Sequence, residues 1–337
     1  MTTYLLPAQI RSPFNKLSVS DTSKKYSFIV SAHFHGASTN SSTFPASTIL
    51  AGTDTLNSLN PDFLMSLGDL FLDVDSTYTE HYQKSFFSKL KMPLLNAVGN
   101  HDVSNGNLYE KIYGKTFFSF KIQSEYFIVL NTEINDGSIK DEQLAFLKNA
   151  LNEAQQKEIK NIFIFSHRPV WSENNVRYNK LFAGNTRTEI GRNNYEEIIK
   201  PLISSLSKEK SVYWMSGSMA GGPSSFFYDK DPETNITFVQ TAIRDLPRDA
   251  VLKVNVADAE ISFEGISLTG QIIEPVKNYG IDYWTKNTAP ETKFNYRLLP
   301  LMIKQMLLHQ YFWIGFCSSL LILFVFSIIK KRWKRNN

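Results

Sequence analysis

Short apolar runs, each closed by a small polar or histidine cluster, recur along most of this chain and constrain its fold more than any other feature. Tyr26–Val30 is followed by His33, Pro61–Leu67 by Gly68-Asp69, and Pro93–Val98 by Gly99-Asn100-His101-Asp102. Asn161–Phe165 is followed by Ser166-His167, and Val212–Met215 by Ser216-Gly217-Ser218. Helical stretches lie between them: Tyr78–Lys91, Lys140–Gln156 with Leu144, Phe146, Leu147 and Leu151 at helical spacing, and Tyr195–Leu206. Apolar runs of this length bounded by Gly and Asp read as strands, and alternating strand and helix predicts a layered α/β domain. Phe117–Ile122 and Tyr126–Asn131 read as a hairpin. The later runs Phe226–Tyr228, Ile236–Ala242, Val251–Val256 and Ile261–Ile266 have few helices between them and predict a second sheet packed on the first.

The C-terminal end is of a different kind. Tyr311–Ile329 is nineteen residues without a charge, enough at about 1.5 Å per residue to cross a hydrocarbon core of about 30 Å. Tyr311 and Trp313 at one end and Trp333 at the other suit an aromatic belt. Of the net charge of +4, the last eight residues carry +5 (Lys330, Lys331, Arg332, Lys334, Arg335), so the remainder carries −1. That near-neutral body argues against a nucleic-acid face. Cations just past the span predict a cytoplasmic C-terminus, and hence a body outside the cytoplasm. Met1 to Phe14 lacks a cationic start and a long apolar run and does not read as a signal peptide. The single cysteine, Cys317, falls inside the apolar run, which excludes a disulfide framework and a cysteine zinc site.

In an α/β sheet the loops after strand C-termini converge on one crevice. Four polar clusters stand in that position: His33/His35, Asp69, Asn100/His101 and His167. Imidazole, carboxylate and amide donors together suit Mn, Fe or Zn better than Mg or Ca. Such residues can hold one or two ions that clamp a phosphate and activate water, with a nearby histidine protonating the leaving oxygen. Each residue also has a plainer reading: Asp69 as a helix cap, Asn100 as a turn former beside Gly99, His167 as packing before Arg168-Pro169. Their order along the chain favours the site. His33 and His35, two apart, would share one face of a continuing strand, and Gly36 permits a turn after them. Trp171 and Asn174, in the loop after His167, are placed where substrate could be selected.

Gly68-Asp69, then Gly99-Asn100-His101-Asp102, then a strand-end His167, resemble the calcineurin-like metallophosphoesterase superfamily over about residues 26–270. The resemblance implies a four-layer α/β/β/α sandwich, with Asp69 as bridging carboxylate, Asn100 and His167 as metal ligands, His101 as the acid and Asp102 as the residue that orients it. Two motifs depart from the family pattern. Where Asp-any-His is usual, this chain has His33-Phe34-His35-Gly36, and where Gly-His-any-His is usual it has Gly217-Ser218-Met219-Ala220. Ala32-His33-Phe34-His35-Gly36 also resembles a bacterial branch, found near surface-polysaccharide genes, whose first motif reads Gly-His-any-Tyr-Gly. In one alignment His35 is the ligand kept from the family, and in the other His33 is. Both stay open.

The expected organisation is an irregular lead over 1–25, a metallophosphoesterase-like domain over 26–275, a partly helical juxtamembrane linker over 276–310, a transmembrane helix over 311–329 and a basic tail over 330–337. The implied activity is metal-dependent hydrolysis of a phosphomonoester or phosphodiester, with a phosphorylated small molecule or a glycan or lipid as substrate, in cell-envelope or polysaccharide metabolism. The alternative is a catalytically degenerate member acting as a surface binding or scaffold module. His33, His35, Asp69, Asn100 and His167 are the metal candidates, and His101 and Asp102 the catalytic ones.

Overall fold

The computed structural model describes residues 10–19, 23–188, 191–219, 221–287, 299–308 and 310–336. They form two compact units, 1–294 and 295–337.

Eleven strands build the first unit among its described residues: β1 (Lys25–Ser31), β2 (Phe63–Ser66), β3 (Leu94–Asn96), β4 (Phe118–Ile122), β5 (Glu125–Val129), β6 (Asn161–Ser166), β7 (Ser211–Ser216), β8 (Phe226–Lys230), β9 (Thr237–Thr241), β10 (Ala250–Ala257) and β11 (Glu260–Ser267). One sheet runs β11-β10-β1-β2-β3 and the other β4-β5-β6-β7-β9-β8. β1, β2 and β3 are parallel, as are β5, β6, β7 and β9. The late strands therefore do not make a separate second sheet. β10 returns to pair antiparallel with β1, extending the first sheet, while β8 and β9 complete the second. Short-range pattern fixes which segments are strands, but pairing partners are chosen by the face each strand must bury.

Alternation along β1 shows how the layers arise. Phe28 and Val30 point into the space between the sheets, and Ile29 points to the opposite face. Between the sheets Phe28 meets Phe127 and Phe163 edge-on at 5.6 and 5.3 Å, and Phe63 meets Phe127 at 5.6 Å. Edge-to-face contact of this kind adds to the area buried. The outer face of the first sheet (Ile29, Leu64, Leu94) packs with Ile49 and Leu56 of helix Ser47–Ser58, with Tyr82 of helix Ser76–Ser85, and with Phe86 and Phe87 after it. Asp75 caps that second helix, accepting from the Tyr78 amide at 2.8 Å. The second sheet is covered by helix Asp141–Ala154, through Leu147, Ala150 and Leu151, and by helix Lys200–Leu206, through Ile203 and Leu206. The order is helices, sheet, sheet, helices. The lead, expected to be irregular, sends Phe14 into this core, 4.6 Å from the Tyr113 ring.

In the second unit a helix runs Gln310–Asn336. Gln310–Trp333, whose most apolar 18-residue window has a mean hydropathy of 2.4, is long and apolar enough to cross a membrane by length and composition. The expected linker is helical over Ile281–Lys286 and Leu299–Leu308; residues 288–298 lie outside the described residues.

Candidate metal centre

Each candidate residue follows the carboxyl end of a strand. Leu67 N donates to Ser31 O at 2.8 Å and Ala97 N to Ser66 O at 2.8 Å, so the parallel pairing of β1, β2 and β3 continues just past the strands and brings their loops level. β1 does not continue through the two histidines. The chain turns at His33, whose φ is 56°, and the Gly36 amide closes the turn on His33 O at 2.7 Å. A left-handed histidine is strained, and such strain gathers where the surrounding structure fixes a side chain for use. Asp69 is left-handed as well, at φ 54°, directly after Gly68 at φ 90°. A Cβ at Gly68 would stand 2.6 Å from His167 Nδ1 and 2.7 Å from Ala97 O, and one at Gly99 would strike the Asp69 carboxylate. The two glycines leave the room the carboxylate and histidine occupy.

The result is one carboxylate oxygen ringed by three imidazoles. Asp69 Oδ2 lies 3.3 Å from His33 Nδ1, 3.6 Å from His35 Nε2 and 3.5 Å from His167 Nε2. All four residues are buried. Asp69 Oδ1 accepts the backbone amide of His101 at 3.1 Å. No nitrogen of the His33 or His35 ring has a hydrogen-bond partner, and neither does His167 Nε2. His167 Nδ1 sits 2.8 Å from Leu67 O, and a carbonyl only accepts, so Nδ1 carries the proton. His167 therefore turns its other nitrogen, Nε2, toward the carboxylate oxygen with no hydrogen bond between them. Buried polar atoms are expected to be satisfied, and two electron-rich atoms face to face need a positive charge. His33, His35 and Asp69 offer ligand atoms all within 4.8 Å of one another, which fits a divalent cation. The His167–Leu67 contact is the kind of outer hydrogen bond that orients a metal-binding imidazole.

Electrostatics agree. Burial is the largest influence on Asp69 and pushes it up, but His167, His33 and His35 together hold its carboxyl well below the usual range. Burial pushes His33 well down, against the pull of Asp69, and lowers His35 too. A carboxylate beside the neutral imidazoles of His33 and His35 is the protonation state a cation requires.

His101 also follows β3. Its Nδ1 donates to Leu72 O at 2.8 Å, its ring lies 4.7 Å from that of His35, and Nε2 is left free for proton transfer. Asp102 does not orient this ring, contrary to the sequence expectation. Its carboxylate is turned inward, where it accepts from Phe71 N at 3.0 Å, Gly99 N at 2.9 Å and Asn96 Nδ2 at 3.1 Å. It fixes the Gly99–Asp102 loop, and the Leu72 carbonyl takes the orienting role. Burial raises Asp102 to about 6, and Asp69 adds to that rise. Asn100 is exposed, with Oδ1 3.5 Å from Arg168 Nη2. Trp171 is not a selector of substrate: it is fully buried, stacks on Phe238 at 4.2 Å and donates to Ser216 Oγ. Ser218, in the altered last motif, has its hydroxyl accepting from Asn185 Nδ2 at 2.9 Å.

Arg244 was not found from the sequence. It follows β9 as the other residues follow their strands, but the run Ile236–Ala242 carries no histidine or aspartate at its end to draw attention. Its amide donates to both carboxylate oxygens of Asp249, at 3.0 and 3.1 Å. Burial raises Asp249 to about 7, with the neighbouring Arg248 opposing. The folded chain thus keeps this proton up to about pH 7, while the unfolded chain releases it near the ordinary 3.8. Between those values rising pH weakens the fold through Asp249, by about 4 kcal/mol over the whole window. Thermal melts of Asp249→Asn should therefore fall less steeply than the parent's, so that the variant gains on the parent from about pH 4 to about pH 7.

Residues 42–203 match the family model described as calcineurin-like phosphoesterase. Over that segment the chain is similar to calcineurin-like phosphoesterases. The match takes in Asp69, Asn100, His101, Asp102 and His167; His33, His35 and Ser218 lie outside it. The chain is also similar to the serine/threonine-protein phosphatase CPPED1 of Mus musculus, 29% identical over 137 residues, covering 35% of this chain and 44% of that protein. The Homo sapiens protein is 26% identical over the same shares. The chain thus spans under half the length of the curated relatives it matches. Among solved structures, a dimetal phosphatase from Danio rerio covers 72% of this chain and 96% of its own, with 13% identity and a TM-score of 0.48. At that score the likeness carries no argument about chemistry.

Proposed function

We propose that this chain is a metal-dependent phosphoric ester hydrolase tethered to a membrane by the helix Gln310–Asn336, hydrolysing a phosphomonoester or phosphodiester. One observation carries the proposal: Asp69 Oδ2 stands within 3.6 Å of three buried imidazole nitrogens, none of them hydrogen-bonded. His33, His35, Asp69 and His167 would hold the ion, with Asn100 at the rim. A divalent ion bound there polarises a phosphoryl oxygen and lowers the pKa of bound water. The chain's own residues supply the rest. Asp69 keeps its charge and, through Oδ1, fixes the backbone of His101. The Leu72 carbonyl holds the proton on His101 Nδ1, so Nε2 is the atom that delivers a proton to the leaving oxygen. Asp102 keeps the loop in register. Mn, Fe or Zn suits this nitrogen-rich set.

The cations after Ile329 favour a cytoplasmic tail and a body on the other side, where a phosphorylated glycan or lipid of the cell envelope is the substrate class within reach. The first motif keeps the shape of the bacterial branch found near surface-polysaccharide genes, which supports that choice. A phosphoserine peptide belongs in the same screen, because relatives are named serine/threonine-protein phosphatases. The test is metal analysis of the full chain in detergent, followed by assays on aryl phosphates, bis-aryl phosphates and phosphopeptides with Mn, Fe, Zn and Mg in turn. A retained transition metal with turnover of one ester class is the expected result; a chain that retains none refutes the reading. A second reading, a binding or scaffold module, is favoured by the absence of histidine at 218 and by the engagement of the Ser218 hydroxyl with Asn185. It requires that the ion be held and no ester be turned over.

A further inference from the structure

We propose that the Arg244 guanidinium is the phosphoryl-oxygen receptor of this site, supplying by a fixed side chain part of the positive charge that binds the substrate's anionic group. This rests on the phosphoesterase reading and names a residue for it. Arg244 is held between two docked neighbours. Before it, the Ile243 amide donates at 3.2 Å to the carbonyl of Ala32, the residue preceding His33. After it, Asp245 accepts the amide and hydroxyl of Thr48 at 2.8 and 2.9 Å. A Cβ at Gly36 would stand 2.7 Å from Asp245 Oδ2, so the chain on both sides of Arg244 lies against the turn that carries His33 and His35.

The side chain is half-buried, and among the described residues no ion pair or hydrogen bond engages its guanidinium. The other arginine near the site is already committed: Arg168 bonds Glu133 at 2.8 and 2.9 Å and Arg187 O at 2.7 Å. Arg244 is close enough to Asp69, His33 and His35 to act on each of their charges. A half-desolvated guanidinium with unused donors is a receptor for a tetrahedral oxyanion, which it can bind through two parallel N–H···O bonds. The cation and Arg244 would then flank the same phosphoryl group, the arrangement that stabilises charge on its oxygens. The need for such a residue follows from the sequence, since Gly217-Ser218-Met219-Ala220 lacks the two histidines of the family's last motif.

Removing this guanidinium has consequences of opposite sign. It repels a divalent ion and attracts phosphate, so Arg244→Gln should weaken phosphate and leave the ion as tight or tighter. The experiment is calorimetric titration of the full chain in detergent, first with Mn, then with inorganic phosphate on the Mn-loaded protein, for the parent, Arg244→Gln and Arg244→Lys. The expected result is a loss of phosphate affinity of about 10- to 100-fold in Arg244→Gln. Manganese affinity should stay equal or rise, and Arg244→Lys should recover part of the loss. Unchanged phosphate affinity in Arg244→Gln overturns the proposal. So does a joint weakening of phosphate and Mn in both variants, which marks a merely structural arginine. Because binding is read without turnover, a parent that binds phosphate through Arg244 but hydrolyses no ester rejects the hydrolase reading and leaves the receptor standing.

Discussion

Asp69→Asn is expected to leave a folded chain that no longer retains a divalent cation. Asp69 is the one anion among the four groups proposed to hold the ion, and the three histidines around it are buried. Take the carboxylate away and only imidazoles remain in a site that charges avoid unless compensated. Loss of a residue that merely orients a ligand already lowers affinity about 10- to 100-fold, so loss of the central carboxylate should exceed about 100-fold. Hydrolysis should fall with it, since the ion is what would polarise the phosphoryl oxygen. Metal content by mass spectrometry after gel filtration is the decisive measurement, with a thermal melt to show that the variant is folded. Retention of a full equivalent of metal would move the ion elsewhere and remove the basis of the proposed chemistry.

Trp171→Ala should be the most damaging single truncation for stability, and should not act as a change of specificity. The indole is 0% exposed, stacked on Phe238 and edge-on to Tyr178 at 5.2 Å, with its N–H given to Ser216 Oγ at the end of β7. Truncation leaves a cavity and removes a donor at the strand that leads into Gly217 and Ser218. A cost of about 3–5 kcal/mol follows, which in a unit of this size lowers Tm by about 10 °C. Chemical denaturation monitored by circular dichroism reads that loss directly. A variant with the parent's midpoint and an altered substrate profile would restore the substrate-selecting role that the loop position implied.

The two expectations for Asp102 and Trp171 failed for the same reason. Sequence places both next to site residues, and neighbours in sequence alternate or turn away in space. Asp102 follows His101 by one residue, yet its carboxylate points to the buried amides of Phe71 and Gly99. Trp171 follows His167 by four, yet the chain has by then turned into the core. Arg244 is the converse case. It is 77 residues beyond His167 and belongs to no motif, and only the parallel pairing of β9 with β7 brings its loop to the same edge. The shared environment of Asp69 with three distant histidines was legible, because strand-ending polar clusters in a parallel sheet have one edge at which to meet.

Periodicity and residue type determined, without any coordinates, which segments become strands, that the body is layered α/β, that the chain ends in an apolar helix long enough to cross a bilayer, and which side chains are of the kind that hold a cation. Those are local properties, decided by alternation, composition and length over a few residues. Tertiary structure alone decided that β10 and β11 join the first sheet, that His33 turns on a left-handed backbone instead of extending β1, that the Leu72 carbonyl and not Asp102 sets the His101 ring, and that the loop carrying Arg244 follows a strand of the same parallel set. Each of these depends on which buried surfaces and unpaired backbone groups find one another across long stretches of chain, a choice settled by burial and hydrogen bonding in three dimensions that no short window of sequence contains.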